Sequence, residues 1–157
     1  MTKLRLKIFF KKAYENILVF LQFFIITLHF FKWEFIPEIQ IIQVSPFSIF
    51  VGYLIFIIAF IILIVAIRDL GKNLSPFPRP INNSKLVTTG IYRFTRHPMY
   101  YSLIFISIGV FIIKLSFYYL FLTISLALII KFKIALEEKY LMKKFKNYLI
   151  YKNEVKV

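Results

Sequence analysis

Hydrophobic residues of this chain are gathered into long runs that shorter polar segments separate. The clearest run, from Phe47 to Ile67, contains no charged side chain over 21 positions. At about 1.5 Å of rise per residue, a helix of this length covers the roughly 30 Å hydrocarbon core of a bilayer. An earlier run, which ends at Phe31, is interrupted by only a few polar residues. We therefore predict membrane spans at 14–31 and 47–67.

The third hydrophobic run, from Tyr100 to Ile130, is too long for a single crossing. Its one charged residue, Lys114, stands near the middle and is followed by Leu115 and Ser116. This pattern favours two short spans, at 99–113 and 115–130, joined in a tight hairpin, and one long tilted helix is the alternative. The chain is thus predicted to form a single all-α domain. It would be an integral membrane helical bundle of about four transmembrane helices, with a C-terminal helical hairpin and an amphipathic tail.

Positive charge is concentrated in three of the polar segments. The segments before the first span, between the second and third, and after the fourth hold five, six and eight Lys or Arg, which is 19 of the 21 in the chain. In a bundle of four spans these segments lie on the same side of the membrane. The positive-inside rule places both termini and the polar connector, residues 68–99, in the cytoplasm. In a prokaryote the membrane would be the cell or inner membrane.

Composition narrows the chemistry that the chain can perform. The net charge of +14 calls for an anionic partner, and its position beside the predicted spans favours anionic lipid headgroups over nucleic acid. The chain has no cysteine, which excludes disulfides, thiol nucleophiles and thiolate metal sites. With only His29 and His97 as imidazoles, we expect no metal site.

The first candidate site is the stretch GIYRFTRHPMYYS, residues 90–102, which leads into the third span. Pro98 suits the first turn of a helix, and the residue before a proline is biased towards an extended conformation. Arg96 and His97 are therefore predicted to lie on the incoming loop beside the exposed amides of a helix start, where an anion can bind. Gly90 allows the backbone to turn or to approach a ligand closely.

The second candidate site is the pair Glu137 and Glu138, which follows the fourth span in a helical pattern. Ile134, Leu141 and Phe145 form an apolar stripe, and Glu137 shares its face, so that carboxylate is predicted to turn towards the protein. Because a hairpin joins the third and fourth spans, both candidate sites should meet at the same end of the bundle. The alternative is that both are ordinary basic and acidic flanks of membrane helices.

Together these motifs resemble a family of integral-membrane methyltransferases that includes isoprenylcysteine carboxyl methyltransferase and the phospholipid methyltransferases. The resemblance covers residues 71–155. It comprises GKNLSPFPRP, LVTTGIYRFTRHPMYYS, a helical hairpin, EEKYLMKKF, and the spacing of Tyr148, Tyr151 and Val155. It implies that S-adenosylmethionine binds in this region and that a methyl group passes to a lipophilic acceptor from the bilayer.

The resemblance also implies roles for individual residues. Glu137 and Glu138 would meet the ammonium group or ribose hydroxyls of the cofactor, and Arg96, His97 and the helix start at Pro98 would meet its carboxylate. Tyr92 and Tyr100 would lie against the adenine or the sulfonium, with Gly90 close by. We predict His97, Glu138 and Arg96 as catalytic residues, and an amine acceptor would give up its proton to His97 or to one glutamate.

The sequence leaves several functions open. An acceptor of the isoprenylcysteine type is expected first, and a phospholipid amine such as that of phosphatidylethanolamine is the alternative. A membrane reductase related to the sterol reductases and a non-catalytic protein that holds anionic lipid are the other candidates.

Overall fold

The computed structural model describes residues 3–31 and 39–155, which form five α-helices and no β-strand. The helices are α1 (Lys3–Phe30), α2 (Pro46–Leu70), α3 (Pro98–Lys114), α4 (Phe117–Lys144) and α5 (Tyr148–Glu154). Short 3₁₀ turns occupy Gly71–Asn73 and Gly90–Arg93. The prediction of an all-α bundle is therefore confirmed.

Three of the helices are long and apolar enough to cross a membrane, over Phe9–Phe30, Pro46–Asn73 and Phe117–Lys144. Helix α3 is equally apolar but has only 17 residues. That is about 25 Å at the helical rise. Large apolar side chains on these helices, such as Phe20 and Phe50, are exposed as expected for lipid-facing surfaces. The chain is an integral membrane protein, and a crossing by α3 stays a prediction.

The predicted hairpin is present, and the single tilted helix is ruled out. Leu115 ends α3 in the left-handed conformation with φ 44° and ψ 42°, and its N–H donates to the carbonyl of Phe111. Ser116 is then the residue before α4. The loop after α1 meets this tip, since the N–H of Ile41 donates to the carbonyl of Leu115 at 2.8 Å. The predicted loop residues from 32 to 38 lie outside the described part of the chain.

Helices α2 and α3 cross with their backbones in contact. A Cβ on Gly52 would lie 2.8 Å from the carbonyl oxygen of Gly109, and a Cβ on Gly109 would lie 2.9 Å from that of Gly52. Small residues at a crossing allow this approach in membrane proteins, where helices associate by packing and not by escape from water. This contact holds α3 against α2 near the C-terminal end of α3.

Helices α1 and α4 run antiparallel and are joined by polar contacts. The hydroxyl of Tyr118 donates to the carbonyl of Leu28 at one end, and the hydroxyl of Tyr140 donates to Glu15 at the other. The start of α1, the polar connector and the end of α4 therefore meet at one end of the bundle. This agrees with the grouping of the three basic segments, while the side of the membrane stays a prediction.

Lys133 corrects the expected layout in one respect. The charge count placed it in the basic flank after the fourth span, but only 1% of it is exposed. Helix α4 continues without a break through this position, and the ammonium group donates to Gln22 and to the carbonyl of Pro76. A buried ammonium group must find acceptors, and these two supply them.

Candidate active site

A cavity opens where the polar connector crosses the start of α3 and the end of α4. Four of the residues predicted for the site line it, namely Tyr92, Arg96, Tyr100 and Glu137. The other four, Gly90, His97, Pro98 and Glu138, stand outside its lining. The two predicted constellations do meet, but their residues divide into a group that faces the cavity and a group that lies behind it.

The lead into α3 has the predicted form. Pro98 occupies the first turn of the helix, and His97 precedes it with φ −131° and ψ 52°. This conformation is outside the helical region, although its ψ is well short of an extended strand. The side chains of Arg96 and His97 extend from this loop towards Glu138 near the end of α4.

Glu138 is the centre of the group behind the cavity. Its Oε1 accepts from Arg96 Nη2 at 2.9 Å and Nε at 3.1 Å, and His97 Nε2 lies 3.4 Å away. Its other oxygen, Oε2, accepts from Lys152 Nζ at 2.6 Å. Arg96 and His97 are both buried. Charge-assisted bonds of this kind are the strong ones, so this carboxylate is fully engaged by the protein itself.

Arg96 also holds the C-terminal helix in place. Its Nη1 donates to the backbone carbonyls of Lys152, at 3.2 Å, and of Val155. These carbonyls belong to the last turn of α5 and the residue after it, which lack partners inside the helix. We refer to Arg96, Glu138, Lys152 and the Val155 carbonyl as the clasp. The predicted amphipathic tail is thus a short helix that folds back onto the site.

Glu137 has a different environment. Among the described residues it accepts one hydrogen bond, at Oε2 from the hydroxyl of Tyr100 at 2.7 Å, and the side chain is half-buried in the wall of the cavity. Tyr100 is itself only 3% exposed, and the ammonium group of Lys133 lies 5.3 Å from the centre of its ring. The carboxylate of Glu137 can therefore still accept hydrogen bonds from a ligand in the cavity, whereas the carboxylate oxygens of Glu138 are already occupied.

Gly90 makes the turn that the sequence predicted. It has φ 61°, and a Cβ at this position would lie 2.1 Å from Oδ2 of Asp69 at the end of α2. That carboxylate oxygen accepts the N–H of Ile91 at 2.9 Å. The glycine lets the connector pack against α2, and this accounts for its presence without a ligand.

Two tyrosines that sequence reasoning did not assign to the site complete the cavity. The hydroxyl of Tyr151 donates to the carbonyl of Tyr92 at 2.6 Å, and burial raises the pKa of Tyr151 to about 12. Tyr148 is fully buried beside Arg96, and its hydroxyl has no hydrogen-bond partner among the described residues. Their spacing of three residues was the available signal, because it places both rings on one face of a helix.

The polar connector covers the cavity and is held by three cations. Lys133 donates to the carbonyl of Pro76 at 3.0 Å, Arg79 pairs with the buried Glu15 at 3.2 Å, and Lys144 donates to the carbonyl of Asn82 at 2.9 Å. The basic residues of α4 thus fix a segment that has little regular structure of its own. Sequence reasoning assigned none of them to the site.

The comparisons with known proteins bear on what this cavity does. A family model of phospholipid methyltransferases matches residues 47–148, which is more than half of the chain. The chain belongs to the phospholipid methyltransferase family. This confirms the resemblance seen in the sequence, and family membership implies methyl transfer at a membrane as the activity. No curated protein and no solved structure is significantly similar to the chain.

Proposed function

We propose that this member of the phospholipid methyltransferase family transfers the methyl group of S-adenosylmethionine to the amine of a membrane phospholipid, at the cytoplasmic face of the bilayer. The observation that carries the proposal is the placing of Arg96 and Glu137, of opposite charge, in the wall of one cavity. Family members generally use S-adenosylmethionine, which has a carboxylate at one end and cationic groups nearby.

The polar side chains of the cavity match charged groups of this cofactor, and the free space of about 80 Å³ between them must widen to admit it. The buried hydroxyl of Tyr148 lacks a partner among the described residues and lies beside the guanidinium of Arg96. A buried polar group without a partner is rare and calls for an explanation, and a carboxylate oxygen of the ligand would supply one. Glu137 would hold the ammonium group of the cofactor, and its carboxylate would also face the amine of the acceptor. When bound, the cofactor supplies a methyl group on a sulfonium, which is ready for attack by a nucleophile.

The protein itself must position the two reactants and exclude water. A methyl transfer needs two reactants held in line and water kept out, and correct positioning can supply about 7–11 kcal/mol of the barrier in favourable cases. Here α5, held by the clasp, and the polar connector cover the cavity from the aqueous side. The aromatic rings of Tyr92, Tyr100 and Tyr148 form one part of its wall.

The same geometry favours an amine as acceptor over a carboxylate. A protonated amine is attracted by Glu137 and must lose a proton before its nitrogen can attack the methyl carbon. Glu137 faces the cavity and is placed to accept that proton, whereas Glu138 and His97 face each other behind it. A carboxylate acceptor of the isoprenylcysteine type would instead be repelled by Glu137.

Methyl transfer into lipid tests the proposal. Purified protein in vesicles that contain phosphatidylethanolamine should transfer labelled methyl from S-adenosylmethionine to the lipid amine, and Glu137→Gln should reduce the rate at least 100-fold. Glu154→Gln makes the same change of charge on an exposed residue of α5 and should keep the rate.

Two results would count against this assignment. Labelling of an isoprenylcysteine substrate but not of the phospholipid would move the function to carboxyl methylation. Unchanged phospholipid labelling in Glu137→Gln would leave methyl transfer in place and remove Glu137 from its mechanism.

A further inference from the structure

A separate cleft lies between α1 and the last part of α4. Its walls carry three lysines, Lys11 from α1 and Lys139 and Lys143 from α4, around the ring of Tyr140. Leu136 and Met142 form its apolar part. It shares no lining residue with the active-site cavity.

Positive charge in this cleft has no ion-pair partner among the residues that the structure describes. Within the described ranges, none of the three ammonium groups forms an ion pair, and Lys11 Nζ lies 4.2 Å from the centre of the Tyr140 ring. The nearby Glu15 already accepts from Arg79 and from the hydroxyl of Tyr140. Lys139 and Lys143 are one turn apart on the same helix, an arrangement that is unfavourable without an anion between them.

The cleft lies near the ends of two helices that are long and apolar enough to cross a membrane. Lys11 stands two residues into the apolar segment Phe9–Phe30, and Lys143 is one residue from the end of Phe117–Lys144. We expect the ends of such helices to lie near the headgroup region of a bilayer, where the lipid phosphates are. The mixture of three cations with the exposed side chain of Met142 suits a ligand that has an anionic head and an apolar chain.

We propose that this cleft binds the phosphate of an anionic phospholipid, as a site separate from the one that carries out methyl transfer. Tyr140 connects the two, because its hydroxyl donates to Glu15 and Glu15 holds Arg79 of the polar connector. The bound headgroup would stabilise the contact between α1 and α4, and through it the polar connector that covers the cavity. The proposal does not depend on the reaction that the cavity performs.

A lipid titration in detergent, read by native mass spectrometry, tests it. Phosphatidylglycerol should bind the protein more tightly than phosphatidylcholine with the same acyl chains. Each basic residue near an anionic lipid surface contributes about fivefold to affinity, so Lys139→Gln with Lys143→Gln should weaken phosphatidylglycerol binding about 30-fold. Lys139→Arg with Lys143→Arg should keep it. The matched control is Lys12→Gln with Lys146→Gln, which removes two exposed lysines outside the cleft and should weaken binding much less.

Three results would overturn the proposal. The first is equal binding of the two lipids. The second is unchanged phosphatidylglycerol binding in the double glutamine variant, whose fold is checked by its unfolding midpoint. The third is full competition by inorganic phosphate at a matched concentration, which would assign a free-anion site and not a lipid site.

Discussion

Glu137 and Glu138 are neighbours in the sequence, yet they belong to two different regions of the molecule. Adjacent residues of a helix point about 100° apart. Glu138 is directed at Arg96, His97 and Lys152, and these donors use up its oxygens within the protein. Glu137 is directed at the cavity with one hydrogen bond, from Tyr100. The two carboxylates look like one motif in the sequence, but Glu138 stabilises the fold and Glu137 faces the cavity.

The largest loss of stability should follow from removing the carboxylate of Glu138. Glu138→Ala leaves the buried guanidinium of Arg96 without its carboxylate, and breaking a buried ion pair costs about 3–5 kcal/mol. We expect the unfolding midpoint in detergent to fall by on the order of 10 °C, with α5 cut first by a protease. Glu154→Ala is the control, and an equal fall there would show that the clasp contributes nothing specific.

Tyr148 and Tyr151 differ in the same way as the two glutamates: Tyr151 is bonded to the protein, and Tyr148 is proposed to face the ligand. Tyr151→Phe removes the bond to the Tyr92 carbonyl and should lower the free energy of unfolding by about 1 kcal/mol. Tyr148→Phe removes a hydroxyl that has no partner among the described residues and should leave stability unchanged. It should instead weaken binding of S-adenosylhomocysteine, the product form of the cofactor, about tenfold, as measured by titration calorimetry. If Tyr148→Phe lowered the stability and Tyr151→Phe weakened cofactor binding, the assignment of the two tyrosines would be wrong.

Alkaline pH tests the burial of the Tyr151 hydroxyl by a second route. The pKa of Tyr151 is raised to about 12 by burial, against about 10 in an unfolded chain. The folded state therefore keeps this proton longer, so the stability linked to it is complete below pH 10 and is lost as pH rises towards 12. The unfolding midpoint should fall over this range, and less steeply in Tyr151→Phe. Identical slopes in the two proteins would contradict the burial of this hydroxyl.

Much of the bundle could be predicted from hydrophobic runs alone. The second span was predicted at 47–67 and is the helix Pro46–Leu70, and the break at Lys114 is the turn between α3 and α4. These features follow from local pattern and length. The meeting of Arg96 with Glu138 also followed from topology, because a hairpin returns the chain to the end it left.

The division of the site could not be predicted in the same way. The apolar stripe with Leu141 did predict that Glu137 turns towards the protein, and both residues line the cavity. The engagement of Glu138 by Arg96 and Lys152 could not be predicted, because it depends on the rotation of α4 and on where α5 returns. The roles of Lys133 and Arg79 depend on where an irregular connector crosses the helices, which no periodicity reports. The fold-back of α5 depends on carbonyls that Arg96 reaches across the site.

Titration calorimetry of Glu137→Gln with S-adenosylhomocysteine tests the central claim most directly. The substitution keeps the size of the side chain and an oxygen that can accept from Tyr100, and removes only the charge. The account predicts at least a tenfold loss of affinity relative to the unaltered protein, with an unfolding midpoint that does not change. Full affinity in this variant, or a loss of affinity that only accompanies a fallen midpoint, would contradict the claim that Glu137 faces the ligand while Glu138 holds the fold.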